Sequence, residues 1–186
     1  MTDRASTPMR VPWWQAEPAR LQRDRDEVSA AFPELTFVAG GQAGWRGRLP
    51  LWPFERPEPD GLAQLTSGLG LLLELQYLAA YPLVYPWIFP LAPEPAPVEL
   101  TQARWHVLGN GALCLFQTQQ DWDPEGSVVD LLRTAAGWRV EHALMTTGVL
   151  TEMTLAGIVH DGSIDHLVAE AAGLFDSPPP EQDSIR

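Results

Sequence analysis

The sequence predicts an α+β domain in which one helix precedes a run of short antiparallel strands and further helices follow. Three observations carry this. An amphipathic stretch over residues 17–32 places Leu21, Val28 and Ala31 near one face with charges between them, and Pro33 ends it. Short apolar segments bounded by Gly and Pro then recur from residue 35 to residue 91. After Pro124 the period changes, and Val128, Val129, Leu131, Leu132, Ala135 and Trp138 fall at helical spacing. Strands followed by helices argue for helices covering part of an antiparallel sheet.

Each element has its own signal. Residues 1–18 mix Pro and Arg with the pair Trp13-Trp14 and show no period, so they are expected to form a flexible arm ahead of a domain over 19–175. Strands are expected at 35–39, closed by Gly40-Gly41, and at 44–52, where Trp45, Gly47, Leu49 and Leu51 alternate with Arg46 and Arg48. The proline-rich residues 53–60 read as a hairpin loop leading to the most apolar strand, 68–78, and a fourth strand follows at 87–91. In Tyr81-Pro82-Leu83-Val84-Tyr85-Pro86 the two prolines remove ladder donors and impose an extended, turning path. Residues 90–97 form another rigid connection. The helix after Pro124 takes Asp123 or Ser127 as its cap. Helical character recurs over 141–145, around Glu152 and over 163–174. The run Ser-Pro-Pro-Pro-Glu-Gln-Asp-Ser within 176–186 reads as a disordered tail.

Composition narrows the function. At 186 residues the chain suits one domain with a sizeable core. No apolar run approaches the length of a membrane span, so no membrane role is expected. The opening Met-Thr-Asp-Arg-Ala-Ser-Thr-Pro lacks the basic-then-apolar order of a secretory leader. With one cysteine there is no internal disulfide, which agrees with a reducing, cytoplasmic setting. A net charge of −12 argues against nucleic acid, whose phosphates require clustered cations. Gly40-Gly41-Gln-Ala-Gly44 lacks the Lys of a phosphate loop, and no Gly-x-Ser-x-Gly occurs. His142, His160 and His166 show no metal-ligand spacing with Cys114, and no metal or organic cofactor is expected.

The lone cysteine lies in Gly109-Asn-Gly-Ala-Leu-Cys-Leu-Phe-Gln-Thr-Gln-Gln-Asp-Trp-Asp-Pro124. Asn110-Gly111-Ala112-Leu113-Cys114-Leu115 resembles the nucleophile segment of ubiquitin-conjugating (E2) enzymes. Trp122-Asp123-Pro124 resembles their Trp-Ser-Pro, and Val128-Val129-Asp130-Leu131-Leu132 the helix after it. Tyr81-Pro82-Leu83-Val84-Tyr85-Pro86 resembles the Tyr-Pro-x-x-x-Pro that joins their third and fourth strands. The resemblance covers about residues 20–140. It implies the fold of that family: an N-terminal helix, a four-stranded meander, an active-site loop and C-terminal helices. The family's His-Pro-Asn before the cysteine is missing, and its asparagine, counted back without a gap, falls on His106. The connection from Pro86 to Cys114 is also longer than usual. These departures resemble divergent bacterial E2-like families, which travel with E1-like activating enzymes, ubiquitin-like proteins and JAB-type peptidases, often in antiphage defence.

The resemblance implies that Cys114 accepts a ubiquitin-like protein from an E1-like enzyme as a thioester and passes it to an amine or other nucleophile. Sulfur suits this because a thiolate both attacks and leaves well. The sulfur is then expected to be open to solvent. The residue-level alternative is a small buried apolar cysteine. His106 is either the donor to the tetrahedral intermediate or a loop histidine bonded to backbone. Asn110 is either a second donor or simply a turn residue adopting positive φ. Asp121 and Asp123 either orient the attacking amine or accept its proton, or are solvated loop acids or a helix cap. Arg20, Arg23 and Arg25 are expected on the polar face of the first helix, where the E1 would bind. All twelve basic residues are arginine, which leaves no side-chain amine to capture an acyl group, though a GC-rich genome gives the same composition. Two rival readings stand: a non-catalytic module of the UEV or RWD type, and an acidic immunity or adaptor protein with an inert thiol.

Overall fold

A four-stranded antiparallel sheet in the order β1-β2-β3-β4 forms the centre of the fold. Its strands are β1 (Thr36–Val38), β2 (Gly44–Arg48), β3 (Leu72–Gln76) and β4 (Trp87–Ala92), each paired with the next in the chain. Helices α1 (Trp13–Ala16) and α2 (Pro18–Ala31) precede it, and α3 (Leu62–Thr66) separates β2 from β3. After the sheet come α4 (Gln102–Trp105), α5 (Val128–Thr147) and α6 (Asp165–Asp176). The α+β order and the meander are as expected. This computed structural model describes residues 11–116, 121–154, 157–159 and 162–176. The tail expected over 176–186 starts on the last residue of α6, Asp176, and its residues 177–186, the first ten residues of the expected arm and His160 lie outside the described residues.

The sheet's inner face follows from period-two alternation. Leu73 and Leu75 of β3 are fully buried, and Trp45 of β2 and Ile88 of β4 join them. Their registers place Trp45 opposite Leu75 and Leu75 opposite Ile88, so one apolar row crosses three strands. At Gly44 a Cβ would stand 1.8 Å from the Leu75 carbonyl oxygen, so only glycine fits there.

Helix α2 opens on Pro18, whose fixed φ suits a first turn, and stops at Phe32 before Pro33. Its buried residues are Arg20, Asp24 and Val28, spaced one turn apart. Asp24 is completely buried and accepts from Tyr81 Oη at 2.6 Å, Tyr77 Oη at 3.0 Å and Arg20 Nε at 3.0 Å. Burial raises the Asp24 carboxyl above the ordinary aspartate range, against the pull of these donors. The expectation of an open arginine face is therefore corrected. Arg20 is buried, Arg23 pairs with Glu27 and caps the 125–126 carbonyls, and only Arg25 is exposed, over the Phe37 ring.

Other expectations also change. Trp13 does not belong to a free arm: it is 4% exposed, with its ring centroid 4.7 Å from Tyr77 and 4.6 Å from Tyr81. The chain between β2 and β3 is more than a hairpin loop, since α3 packs Leu62 and Leu65 against α5 and α6. The separate helical stretches expected up to 138 and from 141 are one helix, α5. Ser127 is its N-cap, accepting from Val129 N at 3.1 Å, and Gly148 ends it at φ 78. Residues around Glu152 are bends rather than helix. The helix expected over 163–174 is α6, which runs on to Asp176. No described helix is long and apolar enough to cross a membrane.

Candidate active site

Cys114 sits at the base of a small hairpin docked on the edge of β4. Val107 bridges Leu113 in antiparallel register, Leu108 N donates to Ala112 O at 2.7 Å, and Cys114 N donates to His106 O at 2.8 Å. Leu113 N in turn donates to Ile88 O at 2.8 Å, which fastens the hairpin to the sheet. The turn is made by Asn110-Gly111. Gly111 takes φ 86, a left-handed value that glycine adopts without penalty, and Asn110 Oδ1 accepts from Ala112 N at 3.1 Å. Asn110 is thus an exposed turn residue at the tip, four residues before Cys114. The positive φ of this turn falls on Gly111 and not on Asn110.

The sulfur is not open as expected. Cys114 exposes 9% of its surface, and its thiol donates to the Phe116 carbonyl at 3.4 Å. The Phe116 ring lies 5.0 Å from Tyr85 and 6.0 Å from Trp122, so an aromatic cluster adjoins the nucleophile segment. Burial pushes the thiol's pKa up; a side-chain hydrogen bond from Gln102 and a backbone one at Phe116 pull the other way. Burial raises the pKa of Tyr85 first, and negative charge on Cys114 would raise it further. Tyr85 and Gln102 are neighbours that the sequence did not single out. Tyr85 lies within a motif read only as structural, and a lone glutamine on a short helix carries no signal.

His106 is the cross-strand partner of Cys114 through the main chain. It ends α4 in the left-handed conformation, φ 49, which is uncommon for a side chain of this size. Its ring is half-buried and has no hydrogen-bond partner among the described residues. Burial holds its pKa below the ordinary histidine value, so the imidazole is neutral at pH 7. The structure brings His106 beside the cysteine strand, with no ring-to-sulfur hydrogen bond among the described residues.

The segments that flank the cysteine in sequence meet around it. Trp122, 6% exposed, donates from Nε1 to Pro82 O at 2.8 Å, joining the Trp122-Asp123-Pro124 segment to the Tyr81–Pro86 turn. Arg20 donates to Pro124 O at 2.5 Å and Gly126 O at 2.7 Å, and its Nε also reaches Tyr81 Oη at 2.8 Å. Ser127 Oγ donates to Glu27 at 2.6 Å, which lowers the Glu27 pKa. Asp123 accepts from Glu125 N at 2.9 Å in a local turn, leaving Ser127 as the cap. Helix α2 therefore clamps the chain that re-enters the fold after the cysteine.

Under the hairpin, His142 lies between Trp105 and Trp138, with ring centroids 5.5 Å and 4.7 Å away, and its Nε2 is 3.2 Å from Glu99 Oε2. Burial lowers its pKa. Among the described residues no three His, Cys, Asp or Glu side chains converge as a metal site would require. No protein-family model matches this chain, and neither does any curated protein or solved structure.

Proposed function

We propose that this protein is an E2-like conjugating enzyme with the UBC-like fold, which carries a ubiquitin-like protein on Cys114 as a thioester. One observation supports the reading most. Three segments far apart in the sequence, the Tyr81–Pro86 turn, the Cys114 hairpin and the Trp122-Asp123-Pro124 segment, converge on one edge of an antiparallel meander. In this account the Cys114 thiolate attacks the activating enzyme's thioester carbonyl, the partner's sulfur leaves, and an amine later displaces Cys114. The neutral His106 imidazole stands ready to take the amine's proton, and the Gln102 side chain, which hydrogen-bonds the sulfur, is a donor beside the reacting atom. Access to the thiol requires the contact between the sulfur and the Phe116 main chain to open, since Cys114 is nearly buried and its proton is held. E1-like and ubiquitin-like proteins are the partners of this reading, with Arg25 the remaining exposed arginine of the expected docking face.

A second reading draws on that same closure. A binding module that has kept the fold has no use for an exposed thiol, and a cysteine bonded to its neighbour's carbonyl suits it. The two separate on one experiment. Incubation with an E1-like enzyme, its ubiquitin-like protein and ATP gives a thiol-sensitive slower band if Cys114 is the carrier, and Cys114→Ala abolishes it. A protein that never forms the band is the binding module.

A further inference from the structure

Behind the cysteine hairpin, a cavity of about 180 Å³ opens between the hairpin, α5 and the residues Met153, Thr154, Gly157 and Val159. Glu141 of α5 lines it and is 2% exposed. Its Oε1 accepts from Thr154 Oγ1 at 2.9 Å and Ile158 N at 2.9 Å, and its Oε2 from Thr154 N at 2.7 Å. A carboxylate offers about four acceptor positions, so Oε2 keeps capacity for one more donor. No arginine is among the described lining residues, and the chain has no lysine, so no basic side chain there neutralises this buried acid. The wall also carries the His106 ring, neutral and without a partner among the described residues, and the Thr134 hydroxyl, which donates to Asp130 O. The remaining walls include Phe116, Trp138 and Met153, two aromatic faces and a polarisable thioether.

The geometry points to a binding site for an organic cation on an apolar stem, an alkylammonium such as a lysine side chain, with its charge on Glu141 and its stem against Phe116, Trp138 and Met153. An anion would face the carboxylate, and a purely apolar guest would leave the open acceptors of Glu141 and His106 without donors. The site stands whether or not Cys114 carries an acyl group, so its test is separate from loading.

The test titrates the full, unloaded chain with Nα-acetyl-lysine methylamide while following the Trp138 indole N–H resonance by NMR. The norleucine analogue, equal in stem but neutral, is the control. Saturable shifts with lysine amide are expected, with norleucine amide at least about tenfold weaker, as loss of a charge-assisted hydrogen bond implies. Glu141→Gln should weaken lysine amide by a similar factor. Because that variant loosens three loop bonds, Thr134→Phe, which fills the wall without touching Glu141, provides the second measure and should also block binding. The inference is overturned if lysine amide gives no shifts, if norleucine amide binds equally, or if Thr134→Phe binds as well as wild type.

Discussion

Replacing Asp24 with alanine tests how the nucleophile segment is held in place. The carboxylate is fully buried and accepts from two tyrosine hydroxyls and the Arg20 guanidinium, which itself is 8% exposed. Removing it leaves a nearly buried cation and two phenols without their acceptor. Breaking a buried ion pair by deleting one partner costs about 3–5 kcal/mol, and the three bonds share one acceptor, so they are not summed. For a chain of this size that corresponds to a fall in Tm of about 6–20 °C. Arg20 also donates to Pro124 O and Gly126 O, so the segment entering α5 should loosen along with the global loss. Thermal unfolding by circular dichroism reads the first effect, and amide exchange at residues 125–128 reads the second. A double-mutant cycle with Tyr81→Phe should give a coupling of about 1–3 kcal/mol. A loss below about 1 kcal/mol for Asp24→Ala would refute the reasoning, since water would then have to satisfy these groups as well as Asp24 does.

Three further outcomes are expected. Cys114 should react slowly with iodoacetamide at pH 7, more slowly than a free cysteine, and Phe116→Gly should speed it several-fold; equal rates would mean that Phe116 does not shield the sulfur. His106→Gly, which removes the side chain from a left-handed residue, should be neutral or stabilising by about 1 kcal/mol in urea unfolding while slowing discharge of a loaded Cys114; unchanged discharge would remove the ring from the chemistry. His142 is held below the ordinary histidine pKa, so the folded protein keeps it neutral while the unfolded chain takes up a proton. Its contribution is therefore present above the ordinary histidine range and lost as the pH falls toward the folded value. His142→Gln should flatten the loss of stability on acidification from pH 7, and an unchanged acid slope would contradict this.

The meander was legible because its signals are local. Alternation in Trp45 and Leu73–Leu75, and proline punctuation around Tyr81–Pro86, are read within a few residues. What the sequence hid depends on contacts across the chain. Arg139, Glu141 and His142 look like an interruption of the α5 pattern, yet Glu141 and His142 are buried and hydrogen-bonded to Thr154, Ile158 and Glu99. A helix packed on the sheet side and against α3 and α6 shows no single apolar stripe, so its period is masked. Arg20 and Asp24 read as solvent-facing because charge usually is, whereas two tyrosines from the strand-three region meet them inside. Trp13 was invisible as core because a single residue has no period. At the site, the motif located Cys114 and the turn at Asn110-Gly111, but accessibility is a property of packing. Only the structure could show Phe116, Tyr85 and Gln102 around the sulfur.

The most direct measurement of the central claim is mass spectrometry of the protein after incubation with an E1-like enzyme, a ubiquitin-like protein and ATP. The account gives one added ubiquitin-like protein on Cys114, released by thiols and absent from Cys114→Ala. An adduct that survives thiols, one that forms equally in Cys114→Ala, or an unmodified chain alongside an E1 that loads other carriers, would contradict it.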